Sequence, residues 1–168
     1  MLKFSGNILS ADDMRYFKQA AYFAMNYMVS PYKQRNAKVN IKLAPTMHEG
    51  GFCEYAGVND EGKKVFNIEV NMDSYNRSGK KFKTRLRFPV RSLFHELVHV
   101  NQYLNNKMFD YVNGDVRYEG RVYTSARDTP DFLTDTSYWG SPWEWEAYGG
   151  AVCLWELFLL KQKGVGIV

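Results

Sequence analysis

The stretch that decides the fold of this chain is Pro89–Asn105, PVRSLFHELVHVNQYLN. Proline suits the first turn of a helix, so the spacing predicts a helix that begins near Pro89. One side of this helix is apolar and predicts a packing face, made of Leu93, Leu97, Val100 and Leu104. The two histidines of this helix, His95 and His99, lie on the opposite side.

The five residues His95 to His99, HELVH, match the H-E-x-x-H pattern and contain two of the three histidines in the chain. On a helix, His95 and His99 lie about 40° apart and one turn apart, so both imidazoles can bind one ion. Zinc fits this chemistry, because it accepts imidazole nitrogen and catalytic sites use three protein ligands with one position left for water. Glu96 points about 100° away from His95, which suits a general base better than a ligand. The sequence therefore predicts one zinc ion with His95 and His99 as ligands.

A catalytic zinc site needs a third ligand, and the segment Ser141–Ala147 offers two glutamates. The spacing of Ser141 and Glu144 predicts a capping box, which gives Glu144 a structural role at a helix start. Glu146 lies about 200° round the helix from Glu144, so only one of the two can face the ion. His48 is a further candidate far upstream.

The face of this second helix that contains Glu146 also includes two adjacent glycines, Gly149 and Gly150, followed by Cys153. Glycine inside a helix costs about 1 kcal/mol, and close approach of another backbone is the expected compensation. We therefore expect this face to pack on the HELVH helix and to bring Glu146 to the zinc. Gln102 returns to the metal side of its own helix, where it can orient a ligand by a hydrogen bond.

The rest of the chain predicts a single α+β domain over residues 1–168. A helix is expected from Ala11 to Val29, and a last helix from near Pro142. Alternating or β-rich patterns predict strands at Val39–Leu43, Phe52–Val58 and Val65–Met72, and a hairpin at Val116–Tyr123. These segments predict a small, mostly antiparallel sheet, with Val65–Met72 as its edge strand.

Composition excludes several classes of protein. The 168 residues are 45% hydrophobic and 24% charged, as in ordinary globular domains, which argues against disorder and fibrous folds. No signal peptide and no membrane span is recognised in the sequence. The two cysteines, Cys53 and Cys153, are too few for a disulfide scaffold, so the expected location is the cytoplasm.

The residues His95, Glu96, His99 and Glu146 together resemble the metal site of the zincin metallopeptidases of gluzincin type, whose third ligand is a Glu on a following helix. The segment Tyr138–Ala147, YWGSPWEWEA, is also similar to a stretch of small phage-encoded and bacterial HExxH proteins. The resemblance covers roughly residues 85–160. It implies a minimal zincin-like fold, an edge strand that holds a peptide antiparallel, and zinc-dependent peptide hydrolysis.

The expected function is that of a zinc metallopeptidase, a hydrolase that acts on a peptide or protein substrate. Glu96 is the expected general base. Members of the resembled type stabilise the oxyanion with a Tyr or His, and the candidates here are Tyr148, Tyr138 and Tyr123.

The alternative is a non-catalytic zincin-like module that binds protein or nucleic acid through the basic run Arg77–Arg87, RSGKKFKTRLR. This run has six basic residues and no acid. Such runs can bind phosphates, but they are more often solvated loops or charged edges that oppose aggregation.

Overall fold

The computed structural model describes residues 2–47, 49–77, 85–123 and 140–166. Within these ranges the chain forms five helices and two small sheets, so the expectation of a mixed α+β protein is confirmed. In chain order the elements are β1 (Leu2–Ser5), α1 (Ala11–Met28), α2 (Pro31–Arg35), β2 (Ala37–Ala44), β3 (Gly51–Val58), β4 (Lys64–Asn71), α3 (Asp73–Arg77), α4 (Arg87–Leu104), β5 (Met108–Asp110), β6 (Val116–Tyr118), β7 (Arg121–Tyr123) and α5 (Pro142–Gln162).

The larger sheet has the order β1-β2-β4-β3. Strand β2 is parallel to both β1 and β4, and only β3 pairs antiparallel with β4. The expectation of a mostly antiparallel sheet is therefore wrong. Alternation of apolar residues shows which side of a strand is buried but not the direction of its neighbour, and the short strand β1 was not predicted. Helix α1 provides the crossover that a parallel β1–β2 pair needs.

The position of the edge strand also differs from the prediction. The segment predicted as an edge, Val65–Met72, corresponds to β4, which lies between β2 and β3. Its inward side chains Phe66, Ile68 and Val70 are fully buried. Strand β3 is at the edge instead, because in the described residues it pairs with β4 alone.

Helix α4, which contains the HELVH sequence, packs at the centre of the domain. It contacts α1 and α5 on one side and strands β3 and β4 on the other. The predicted packing face is confirmed, since it is buried at all four positions: Leu93, Leu97, Val100 and Leu104. Burial of this many large apolar side chains fixes the rotation of α4 about its axis, and that rotation directs the histidines to the opposite side.

Helix α5 packs on α4 through a different face from the one expected. Its buried residues are Trp143, Glu144, Ala147, Ala151, Leu154, Trp155 and Phe158, whereas Cys153 and Leu160 are exposed. Of the glycine pair only Gly150 lies close against α4, and it meets a side chain instead of the expected backbone, since a β-carbon there would stand 2.8 Å from Val98 Cγ2. Gly149 faces open space. The helix has apolar residues on all sides, so their periodicity did not indicate which side packs.

The smaller sheet consists of β5, β6 and β7. Strands β6 and β7 pair antiparallel, which confirms the hairpin predicted over Val116–Tyr123. The sheet follows α4 directly and brings buried Tyr118 to the side of α5. None of the helices in the described ranges combines the length and apolar composition needed to cross a bilayer.

Candidate metal centre and cleft

The two histidines of helix α4 converge as the helical spacing predicts. His95 Nε2 and His99 Nε2 are 3.2 Å apart, and their rings meet nearly edge to face. Together with a carboxylate oxygen of Glu96 they form a group whose ligand atoms all lie within 4.8 Å of one another. His99 and Glu96 are buried and His95 is partly buried, so the group lies at the base of a cleft.

A carboxylate from helix α5 completes this group, and it belongs to Glu144. Its Oε2 atom is 3.0 Å from His95 Nε2, and its Oε1 atom is 3.3 Å from His99 Nε2. Glu144 is 1% exposed. The predicted capping box is absent, because no side-chain hydrogen bond caps α5 at Ser141. The carboxylate of Glu144 is thus directed at the histidines rather than at the helix start.

Glu146 does not reach the histidine pair. Its carboxylate accepts hydrogen bonds from Lys107, Tyr118 and the Gln102 amide. The expectation that Glu146 faces the histidines is therefore wrong, and Glu144 takes that position. The cause is the packing of α5, whose buried series 144, 147, 151, 154 and 158 has helical spacing and includes Glu144. No signal in the sequence singled out this series, because apolar residues occur on all sides of α5.

The spacings within the group are close to those between the ligands of a zinc ion, which lie about 3.3 Å apart when each is about 2.0 Å from the metal at tetrahedral angles. The two Nε2 atoms are 3.2 Å apart, Glu144 Oε2 is 3.0 Å from His95 Nε2, and the other carboxylate oxygen, Oε1, is 3.3 Å from His99 Nε2. Glu144 Oε2 is buried and finds no partner of hydrogen-bond geometry among the described residues. A buried carboxylate oxygen against two imidazole nitrogens is an arrangement that a shared cation stabilises.

Electrostatics within the group follow from burial and proximity. Burial alone would raise the pKa of Glu144, but the imidazoles of His95 and His99 against it lower this pKa to about 2. Burial alone would lower the pKa of His99, but the Glu144 carboxylate raises it above the usual value. Burial raises the pKa of Glu96 to about 8, although the charge of His99 opposes this shift. Of the two carboxyl groups, Glu144 is therefore the ionised one, and Glu96 is the one that readily holds a proton.

Gln102 lies where the sequence predicted a residue that orients a ligand. Its Oε1 atom is 2.9 Å from His99 Nδ1, which confirms the expected hydrogen bond. The amide is fully buried. Gln102 therefore links His99 to groups outside the cluster of His95, His99 and Glu144.

A cleft of about 330 Å³ opens above the histidines, within the range of small-molecule and peptide-binding pockets. One wall is the edge strand β3, and the others come from α4 and α5. The backbone of Gly51 runs close to Glu96, since a β-carbon at this position would stand 2.6 Å from Glu96 Oε1. Aromatic and long side chains form the rim, among them Phe52, Phe88, Arg91, Met108 and Tyr148.

Of the three tyrosines considered for the oxyanion, Tyr148 lies at the site. Its ring centroid is 4.6 Å from that of His95, and the side chain lines the cleft. Burial, and then the charges of Glu144 and Glu96, raise the pKa of Tyr148, so the phenol stays protonated. Tyr123 instead packs on Trp143. Tyr138 and the alternative ligand His48 lie outside the described residues.

The basic run of the alternative function lies mostly outside the described residues, which omit 78–84. At its ends, Arg77 forms an ion pair with Asp73, and Arg85 forms one with the buried Asp13. Both arginines are thus paired with carboxylates of the chain, so neither is an observation in favour of nucleic-acid binding. Binding through this run stays a prediction.

Comparison with known proteins finds no matching family model, no matching curated protein and no matching solved structure. The donor group, the buried Glu96 and the cleft beside an edge strand are therefore the features that a function has to explain.

Proposed function

We propose that this chain is a zinc-dependent peptidase in which His95, His99 and Glu144 hold the ion. The observation that carries the proposal is the buried Glu144 carboxylate, which places one oxygen against each of the two adjacent imidazole Nε2 atoms, with the Glu96 carboxylate beside them. The gluzincin resemblance is kept by this assignment, because Glu144 also belongs to a helix that follows the HELVH helix. Zinc bound there would supply a Lewis acid for the scissile carbonyl and would lower the pKa of a bound water.

Glu96 is the proposed general base. Its carboxylate takes a proton from the attacking water and passes it to the leaving amine. A carboxyl group with a pKa raised by burial suits this task, since it can hold the proton between the two transfers. Tyr148 is proposed to donate a hydrogen bond from its protonated phenol to the oxyanion.

Strand β3 supports a peptide as the substrate. It is the edge strand of the larger sheet in the described residues, and it forms one wall of the cleft. An extended peptide can add to such an edge by main-chain hydrogen bonds, with alternate side chains directed into the cleft. The apolar rim, which includes Phe52 and Phe88, favours substrates with large hydrophobic side chains.

The ligand assignment is tested by zinc content. The wild type, Glu144→Ala and Glu146→Gln proteins are loaded with excess zinc, freed of unbound metal by gel filtration and analysed for metal. We expect one zinc per chain in the wild type and in the Glu146 variant, and little in the Glu144 variant. Equal zinc in the wild type and the Glu144 variant would remove the assignment, and zinc lost only from the Glu146 variant would reverse it.

The catalytic role is tested with a fluorescently labelled unfolded polypeptide. Glu96→Gln keeps the size of the side chain but removes the base, so we expect cleavage to fall by at least 100-fold while zinc is retained. Glu156→Gln is the matched control, because Glu156 is exposed on α5. Cleavage that persists in the Glu96 variant would contradict the proposed base.

A further inference from the structure

Gln102 is a fully buried amide whose three hydrogen bonds fix its orientation. Its Nε2 atom donates to the Trp143 carbonyl oxygen at 2.9 Å and to Glu146 Oε2 at 3.0 Å. The Oε1 atom must then be the one that faces His99 Nδ1. The reverse orientation would place an oxygen against two acceptors, and a buried amide does not tolerate this.

This orientation determines which nitrogen of His99 bears the proton. Gln102 Oε1 can only accept a hydrogen bond, so the neutral His99 ring donates from Nδ1. Its Nε2 atom is then left with a lone pair, and this atom is the one that faces His95 and Glu144. A neutral imidazole with its free nitrogen toward the donor group is the form that binds a metal.

Glu146 is held in place at the far end of the same chain of hydrogen bonds. Lys107 Nζ lies 2.7 Å from its Oε1, and the Tyr118 hydroxyl donates to its Oε2. Lys107 follows α4 directly, and Tyr118 belongs to strand β6. The Glu146 carboxylate is therefore the acceptor for three donors, and one of them is the charged ammonium of Lys107. Charge strengthens the hydrogen bond that it accepts from Gln102.

We infer that Glu146 is a positioning residue that acts through Gln102 to fix the Nδ1-protonated tautomer of His99. The tautomer is a property of the metal-free protein, whereas its effect on zinc affinity rests on the proposed function. Glu146 touches neither imidazole, so its influence on His99 passes through the amide of Gln102. In this way α5 supplies the centre with one carboxylate that contacts the histidines and a second that orients one of them.

A double-mutant cycle tests whether Glu146 acts on His99 through Gln102. Zinc affinity is measured by chelator competition for the wild type, Glu146→Ala, Gln102→Ala and the double variant. Loss of a residue that orients a ligand lowers metal affinity by roughly 10–100-fold. We expect a loss of about tenfold for Glu146→Ala, a larger loss for Gln102→Ala, and no further loss in the double variant. An equal loss from Glu146→Ala with and without Gln102 would overturn the inference.

The tautomer itself is read by nitrogen-15 NMR of the metal-free protein, at a pH where the His99 ring is neutral. We expect an Nδ1-bound proton on His99 in the wild type, with the tautomer mixed in Glu146→Ala and Gln102→Ala. Glu146→Gln should retain it, because the amide oxygen can still accept from Gln102, and this variant guards against misfolding of the alanine variant. Glu156→Ala is the control of equal size on the same helix.

Two results would decide between the inference and the proposed function. An unchanged His99 tautomer in both Glu146→Ala and Gln102→Ala would overturn the inference even if zinc binds. A wild type that binds no zinc but shows the expected tautomer changes would overturn the proposed function alone.

Discussion

Gly51 lies close to the proposed base on the edge strand β3, and its replacement tests the placement of Glu96. A β-carbon at this position would stand 2.6 Å from Glu96 Oε1 and 3.0 Å from Glu96 Cγ. Ordinary van der Waals contact begins near 3.4 Å, so the carboxylate oxygen has to move by about 0.8 Å. The Gly51 backbone is not in the left-handed region, so alanine adds the clash without backbone strain.

The expected loss of catalytic activity follows from this displacement of the Glu96 carboxylate. A shift of about 1 Å in a catalytic group can lower the rate by about 100-fold. We therefore expect Gly51→Ala to lower kcat/KM on a labelled unfolded polypeptide by roughly that factor. Zinc content should be unchanged, because the clash involves Glu96 and none of the three proposed ligands.

Gly149→Ala is the matched control, since a β-carbon there meets nothing within 4 Å. Its activity should equal that of the wild type. Full activity in Gly51→Ala would refute the reasoning that the position of Glu96 against β3 matters for catalysis. Loss of zinc from Gly51→Ala would show that the change disturbs the ligands, and the displacement of Glu96 would no longer explain the loss of activity.

Four further predictions concern stability. Gly149→Ala should raise the free energy of unfolding by about 1 kcal/mol in urea denaturation through helix propensity. Gly150→Ala should be less stable than Gly149→Ala by about 2 kcal/mol, because its β-carbon would stand 2.8 Å from Val98 Cγ2. Zinc at about 100 times its Kd should stabilise the wild type by about 2.7 kcal/mol in thermal unfolding. A chelator should reverse this gain, and Glu144→Ala should lack it. Asp13→Ala should cost about 3 kcal/mol in urea denaturation, the lower end of the range for a broken buried pair, because the Arg85 side chain is 32% exposed. Unchanged stability would contradict a structural role for that pair.

Helix α4 shows how far local sequence reasoning reaches. Its packing face and the convergence of His95 and His99 both depend on positions within one helix, and helical spacing determines them. The Gln102–His99 hydrogen bond is equally local, since the two residues are three apart. These features were predictable because no other part of the chain has to be placed first.

The choice of the glutamate that joins the two histidines shows where such reasoning ends. Glu144 and Glu146 are both on α5, and the choice between them depends on which side of α5 meets α4. The apolar residues of α5 are distributed over all sides of the helix, so their periodicity favours no side. The capping pattern at Ser141 also suggested the wrong role for Glu144. The prediction of the edge strand was wrong for a similar reason, because strand order depends on pairing between distant segments.

The sequence by itself determined a helix with two histidines and a glutamate at metal-binding spacing, since one helical repeat relates these residues. Only the tertiary structure decided that Glu144 joins them, that β3 forms the wall of the cleft, and that Glu146 connects to His99 through Gln102. Each of these depends on the packing of α5 and β3 against α4, and that packing is set by the burial of side chains from the whole domain.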